Sequence, residues 1–278
     1  MTVQQFISES VKELRTAGVT TARLDCLVIL EDATGYDRAW LLAHPEHRLN
    51  DKLLKLLSRQ VADRARHIPL AYIRGKTEFY GRYFIINPVV LDPRPESETM
   101  IEQLIAFANE LDKPHIVDIG TGSGALGITA ALELPGSQVT LLDIDDRALK
   151  VAELNCRKHQ LDLSCRREDL LSTTVEQRQK KGQRFDIILA NLPYVPNDFH
   201  INTAALHEPR QAIFGGPDGL DLYRRLFGQL KAVQPSYVLT EALPFQHPAL
   251  THIADASGFR LQKEVDFIQV FSYWRRRV

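Results

Sequence analysis

From residue 115 to the C-terminus, short apolar runs alternate with stretches of helical periodicity, and this alternation constrains the fold more than any other feature. The apolar runs are "HIVDIG", "QVTLLD", a third ahead of Glu168, "FDIILAN" and "SYVLTEA", with helices predicted from about Gly124, Asp146 and Leu220. Parallel strands cannot be joined by a tight turn; they need a crossover, which a helix supplies. The pattern therefore predicts an α/β fold, a doubly wound and mostly parallel sheet with helices on both faces. Two strand-like runs in succession, "GFRLQKEV" and "IQVFSYW", predict a closing antiparallel hairpin.

The first 70 residues read differently. Apolar residues recur there at helical spacing, and Thr2 with Gln5 forms a capping box ahead of the stripe Phe6, Ile7, Val11, Leu14. A second helix is predicted from about Ala22 to Gly35 with Leu24, Leu27 and Val28 on one side, a short third after Asp37, and a fourth after Asn50. Phe79, Tyr80, Tyr83, Phe84 and Ile86 around Gly81-Arg82 predict a β-hairpin, and a helix should run from Pro95 to about Leu111. Three regions follow: a helical bundle over 1–70, a hairpin linker over 71–95 and a catalytic domain over 96–278. The bundle offers no catalytic grouping but enough surface to recognise a protein partner.

Lys and Arg total 34 against 35 Asp and Glu, a balance that argues against a broad electrostatic grip on nucleic acid. The three cysteines have neither a paired framework nor metal-ligand spacing, so no metal site is expected and a reducing, cytoplasmic setting is. No apolar run is long enough to cross a bilayer. The polar stretch "EQRQKKGQR" reads as a solvated helix end and loop.

The first strand of the sheet leads into Asp118-Ile119-Gly120-Thr121-Gly122-Ser123-Gly124, and the second closes on Asp143-Ile144. A tight turn at the carboxyl edge of a parallel sheet needs residues that tolerate positive φ and let a ligand approach the backbone. "GSGALG" is also a literal G-x-G-x-x-G with an acid at about the right distance, so a nicotinamide or flavin cofactor competes on the loop alone. Two acids weigh against it. Asp118 stands two residues before the first glycine, where it would meet a cationic amino-acid end, and Asp169-Leu170 follows the third strand, where a carboxylate can accept from an adenine amine. With Asp143 taking the ribose hydroxyls, S-adenosylmethionine explains all three.

Asn191-Leu192-Pro193-Tyr194 follows the fourth strand. An amide or aryl-amine nitrogen is a poor nucleophile because its lone pair is delocalised. Two acceptors aimed at its hydrogens hold it in line and stabilise the positive charge that develops as it attacks. The Asn191 side-chain oxygen and the Leu192 carbonyl can be those acceptors, Pro193 stiffens the turn, and Tyr194 offers a ring face. A glutamine amide and an adenine both fit that description. The following "NDFHINTAALHEP" has acids Asp198 and Glu208 and only Phe199 for stacking, a poor cradle for RNA.

Taken together, "DIGTGSGALG", "LLDID", "EDLL" and "NLPYVP", with "ARLDCLVILEDATG", "PLAYIRGKTEF", "DPRPESE", "HEPRQAIFGGPDGLDLYRRL" and "LTEALPFQ", resemble the HemK/PrmC family over nearly the full length. That family comprises the peptide chain release factor N5-glutamine methyltransferases. The resemblance implies a class I (Rossmann-like) methyltransferase fold, S-adenosyl-L-methionine as cofactor, and a class I release factor as partner. The methyl acceptor it implies is the glutamine of the factor's Gly-Gly-Gln loop. Carried over, Asn191 to Tyr194 hold the glutamine, while Gly120, Gly122, Asp143 and Asp169 surround the cofactor, with Thr121, Gly124, Ile144 and Leu170 beside them. A monomer is expected. Two departures are visible. Leu192 replaces the family's usual proline, a form also seen in ribosomal RNA adenine dimethylases, and the C-terminal "DFIQVFSYWRRRV" lacks the usual glycine and arginine. The alternatives are a glutamine in a ribosomal protein, adenine N6-methylation of RNA, a nucleotide-dependent oxidoreductase, and a non-catalytic translation scaffold.

Overall fold

The computed structural model describes residues 1–173 and 185–274. "EQRQKKGQR" and the arginines at 275–277 therefore lie outside the described residues. The chain forms two compact units, one of Met1–Lys76 with Ile201–His207, the other of Thr77–His200 with Glu208–Val278.

In the first unit, α1 (Val3–Thr16) starts on the capping box, with Gln5 N donating to Thr2 Oγ1 and Thr2 N to Gln5 Oε1. Helix α2 (Ala22–Thr34) stops at Gly35, which takes a left-handed φ of 74°. Asp37 caps α3 (Arg38–Ala43), Asn50 caps α4 (Asp51–Ala65), and a short α5 (Leu70–Arg74) follows. Phe6, Leu14, Ile29, Leu30, Leu41 and Leu57 fill the core. The buried face of α2 differs from expectation. Leu24 is 49% exposed and Asp25 is buried instead. The reason is an ion pair: Arg64 Nε lies 2.6 Å from Asp25 Oδ2, which also accepts from Thr21 Oγ1. The returning segment 201–207 is tied to this unit through His207 Nε2, 3.0 Å from the Arg66 carbonyl.

The second unit begins with the hairpin β1 (Lys76–Phe79) and β2 (Arg82–Ile85), whose two-residue turn has positive φ at both Tyr80 and Gly81. That geometry matches the right-handed twist of the strands. The hairpin is a packed part of this unit. Phe79 and Phe84 are fully buried, and the Asn155 side chain bonds both Ile85 N and Ile85 O. After a 3-10 turn at Pro95–Ser97, α6 (Glu98–Ala108) leads into the sheet, and it ends three residues earlier than its periodicity suggests.

The sheet contains β3 (His115–Ile119), β4 (Gln138–Asp143), β5 (Ser164–Arg167), β6 (Ile187–Ala190), β7 (Tyr237–Glu241), β8 (Phe259–Val265) and β9 (Ile268–Tyr273), in the order β5-β4-β3-β6-β7-β9-β8. The first five are parallel, and β9 and β8 close the edge antiparallel, as the sequence pattern predicts. Both faces are covered. Ile187 and Leu189 point into a core with α6, α7 (Ala125–Glu133) and α8 (Asp146–Lys158). Ile188 and Ala190, one residue out of phase, join α9 (Asp221–Val233) and α10 (His247–Asp255) on the other face. Burial on both sides is why these strands read as continuous apolar runs. Because β4 lies on one side of β3 and β6 on the other, the strand order reverses at β3, and a crevice opens at its carboxyl end.

Candidate active site

That crevice is a cavity of about 350 Å³. Its first wall is the glycine loop. Gly122 N donates to Asp143 Oδ2 and Asp145 N to Asp143 Oδ1, both at 2.9 Å, so the acid closing β4 is oriented by two backbone groups. Burial raises its pKa, and these hydrogen bonds oppose the shift. A Cβ on Gly124, at φ +83°, would stand 2.8 Å from Ile128 Cδ1, so glycine is required for α7 to start tight against its neighbours. Gly120, Thr121, Gly122, Ile144, Asp169 and Leu170 all line the cavity.

Two residues expected at the cofactor do not line it. Gly124 serves helix packing. Asp118 is buried, and its Oδ2 accepts from Thr121 Oγ1 and from Gly127 N at 2.9 Å. It braces the loop from behind rather than lining the cavity. Desolvation pushes its pKa up to about 6 against those two hydrogen bonds. Asp169 is at the cavity, with its Oδ2 2.6 Å from Arg225 Nη2.

The second wall is the tetrapeptide. Asn191 Nδ2 donates to Ser97 Oγ at 3.0 Å, which turns the amide so that Oδ1 is its free end. Neither Asn191 Oδ1 nor the Leu192 carbonyl receives a hydrogen bond from any described residue, and both residues line the cavity. The Leu192 amide donates to Tyr223 Oη, a fully buried hydroxyl that bonds the Ala190 and Glu241 carbonyls as well. Leu192 itself is 3% exposed, and a Cβ on Gly120 would touch its Cδ2 at 3.2 Å. The side chain thus packs between core and glycine loop, so this position is apolar by need rather than open to any residue the turn allows.

Tyr194 also departs from its expected place. It is half-buried against the core, does not line the cavity, and donates its hydroxyl to Glu241 Oε1 at 3.0 Å. Its ring is held from behind. The turn is fixed further by Gln246, whose Nε2 donates to the Tyr194 carbonyl at 2.8 Å, and by Gly219, where a Cβ would stand 1.9 Å from the same oxygen. At the mouth, Arg94 Nη2 meets Glu208 Oε2 at 2.6 Å, and burial pushes this glutamate up to about 7 despite its arginine. Ser97, Tyr223, Glu241, Gln246 and the Arg94–Glu208 pair escaped the sequence reading. One signal was there for Glu241: like Asp118 and Asp143, it is an acid at the end of an apolar strand.

Comparison with known proteins agrees with this architecture. Residues 5–75 match the PrmC N-terminal domain, and residues 95–209 match the methyltransferase small domain. A release factor glutamine methyltransferase from Koribacter versatilis is 35% identical over 233 residues, covering 83% of this chain and 81% of that protein. One from Moorella thermoacetica is 34% identical and covers 95% of this chain and 94% of its own. The chain belongs to the release factor glutamine methyltransferase family. Among solved structures, the T. thermophilus 16S rRNA methyltransferase RsmC, in complex with AdoMet and guanosine, superposes with a TM-score of 0.52 at 18% identity, covering 72% of this chain and 50% of that one. At that identity the likeness concerns the fold alone, the class I methyltransferase sheet. Among the described residues, no helix is long and apolar enough to cross a membrane.

Proposed function

We propose that this protein transfers a methyl group from S-adenosylmethionine to the side-chain amide nitrogen, N5, of the glutamine in the Gly-Gly-Gln loop of class I peptide chain release factors. The observation that carries this reading is that Asn191 and Leu192 line the same cavity as the glycine loop, while Asn191 Oδ1 and the Leu192 carbonyl accept from no described residue. They match the two hydrogens of a primary amide. Asn191 and Leu192 hold the nitrogen in line and stabilise the charge that develops on it, and the rigid turn at Pro193 keeps their spacing.

The donor set fits the cofactor. Gly120 to Gly122 bring backbone close, Asp143 keeps lone pairs for ribose hydroxyls beyond its two backbone bonds, and Asp169-Leu170 edges the adenine end. When bound, S-adenosylmethionine supplies an electrophilic methyl group on a sulfonium. With Asp143 and Asp169 lining the cavity beside the glycine loop, binding of S-adenosylmethionine and its demethylated product, and not of NAD, is expected by calorimetry. The helical unit carries no candidate chemistry, and we assign it recognition of the factor.

One observation keeps RNA in the test. Phe199 stacks on the exposed Phe245 at 6.1 Å, a larger aromatic surface than Phe199 alone. The assay presents labelled cofactor with a purified class I release factor, its Gln→Asn variant, ribosomal proteins and ribosomal RNA. Label confined to the factor and lost in the Gln→Asn variant is the expected result. Label in RNA, in a ribosomal protein, or equally in the variant overturns the choice of substrate.

A further inference from the structure

Phe199 and Phe245 stack on each other at the surface of the second unit, with ring centroids 6.1 Å apart and planes 22° from parallel. They are 44% and 63% exposed, and they take no part in the chemistry proposed above. A single exposed apolar residue is ordinary. Two rings from separate segments, held together in water rather than folded into the core, call for a reason.

The segments beneath the rings are braced, and both are tied to the tetrapeptide. Phe245 sits in the 3-10 turn Pro244–Gln246, where Gln246 is buried with both ends of its amide engaged. Its Oε1 accepts from Leu243 N at 2.9 Å, and its Nε2 donates to the Tyr194 carbonyl at 2.8 Å and to the Asp218 carbonyl at 2.7 Å. Phe199 lies on the chain leaving the tetrapeptide. Val195 N donates to the Ile213 carbonyl, Gly215 N to the Val195 carbonyl and Asn197 N to the Gly216 carbonyl, each at 2.9 Å. Phe199 N then turns back onto the Pro196 carbonyl at 3.0 Å. The junction admits no side chain at two glycines: a Cβ on Gly215 would stand 2.2 Å from the Pro193 carbonyl oxygen, and one on Gly219 1.9 Å from that of Tyr194. The rings are therefore presented, already ordered, by the turn that carries the proposed acceptors, so a partner meeting them loses little to ordering.

Charge chooses the occupant. Rings that stack nucleic-acid bases are set among cations that hold the phosphates. Here Arg224 is taken by Asp218 and Asp221, and the exposed Asp198 adjoins Phe199 in the chain. We infer that Phe199 and Phe245 form an anchoring surface for an apolar side chain of the substrate protein, on the segment that carries the methyl-accepting glutamine. This rests on the reaction proposed above. Aromatic residues are enriched at protein interfaces, and a side chain covering both rings adds binding energy without touching the reacting nitrogen.

The test uses the full chain and a purified class I release factor. Both positions are exposed, so their variants should fold. F199A/F245A should raise KM for the factor about tenfold or more, with kcat at saturating factor and cofactor affinity each within about twofold. F199L/F245L keeps an apolar surface without rings for bases and should recover most of that loss. Benzoylphenylalanine in place of Phe245 should crosslink, under light, to the segment of the factor that contains the glutamine. An unchanged KM in F199A/F245A, or crosslinks confined to other parts of the factor, overturns the inference and leaves the reaction standing. Ribosomal RNA that binds the wild type, is released by F199A/F245A and is not recovered by F199L/F245L overturns the choice of a peptide. Calorimetric binding of the factor that weakens in F199A/F245A, with no methyl transferred by the wild type, sinks the proposed reaction and leaves the surface standing.

Discussion

The two walls of the cavity are built by opposite means. On the glycine-loop side, the hydrogen bonds that set the shape run between residues 3, 9 and 21 apart in sequence: Thr121 to Asp118, Gly127 to Asp118, and Gly122 to Asp143. On the tetrapeptide side the separations are 31, 47, 52 and 94, for Leu192 to Tyr223, Tyr194 to Glu241, Gln246 to Tyr194 and Asn191 to Ser97. The glycine-loop wall is one folded motif that carries its own braces. The tetrapeptide wall is a short, partly buried turn whose geometry is imposed by the turn before α6, β7, α9 and the turn before α10. A local motif can be reused with many substrates, whereas a turn held by distant elements fixes one nitrogen's approach.

If the walls are this separate, damage to one should leave the other's function intact. The largest effect is expected at Asn191→Ala, with the rate falling by about 100-fold or more while cofactor affinity measured by calorimetry stays within about twofold. A comparable loss of cofactor affinity would break the division. Asp143→Ala should do the reverse, weakening cofactor binding by about 1.5 to 3 kcal/mol, since charge-assisted bonds and the order of Gly122 are lost together. Turnover at saturating cofactor should change far less, and a collapse of kcat there would show that the loop also shapes the substrate wall.

Tyr223→Phe strips one buried hydroxyl from three backbone groups, the Leu192 amide and the Ala190 and Glu241 carbonyls. A loss of about 1 to 3 kcal/mol is expected in denaturant unfolding. It should come with slower turnover and unchanged cofactor binding, because the Leu192 carbonyl drifts with its amide.

The smallest effect is a pH dependence. Burial raises the folded pKa of Glu241 from its ordinary 4.5 to about 7, so the folded state holds a proton that the unfolded state has released between those values. The stability this proton provides is present at low pH and is lost as pH rises through about 7. Glu241→Gln lacks that loss. Its stability advantage over the wild type should therefore widen as pH rises toward 7 and then level off. An advantage that is flat with pH would mean that the carboxyl is not buried as charge.

Much of the fold was legible because its signals are local. The capping box at Thr2, the caps at Asp37 and Asn50, the glycine stop at Gly35 and the period of each helix are decided within a few residues. The parallel sheet follows from strand-helix alternation, since the chain has no other short way to return. The sequence by itself likewise pointed to residues that the fold brings to one cavity: Gly120 to Gly122, Asp143, Asp169 and Asn191 to Pro193. Only the tertiary structure decided what each acid faces. Asp25 is buried against Arg64, a partner 39 positions on in the chain. Asp118 and Asp143 stand at or one residue from the ends of neighbouring strands, yet one is walled in behind the loop and the other opens on the cavity. Glu241 ends a third strand and accepts the Tyr194 hydroxyl from behind the tetrapeptide. The physical reason is common to all three. A carboxylate's role depends on the donors around it and on its distance from water, and both are set by the packing of elements far apart in the chain.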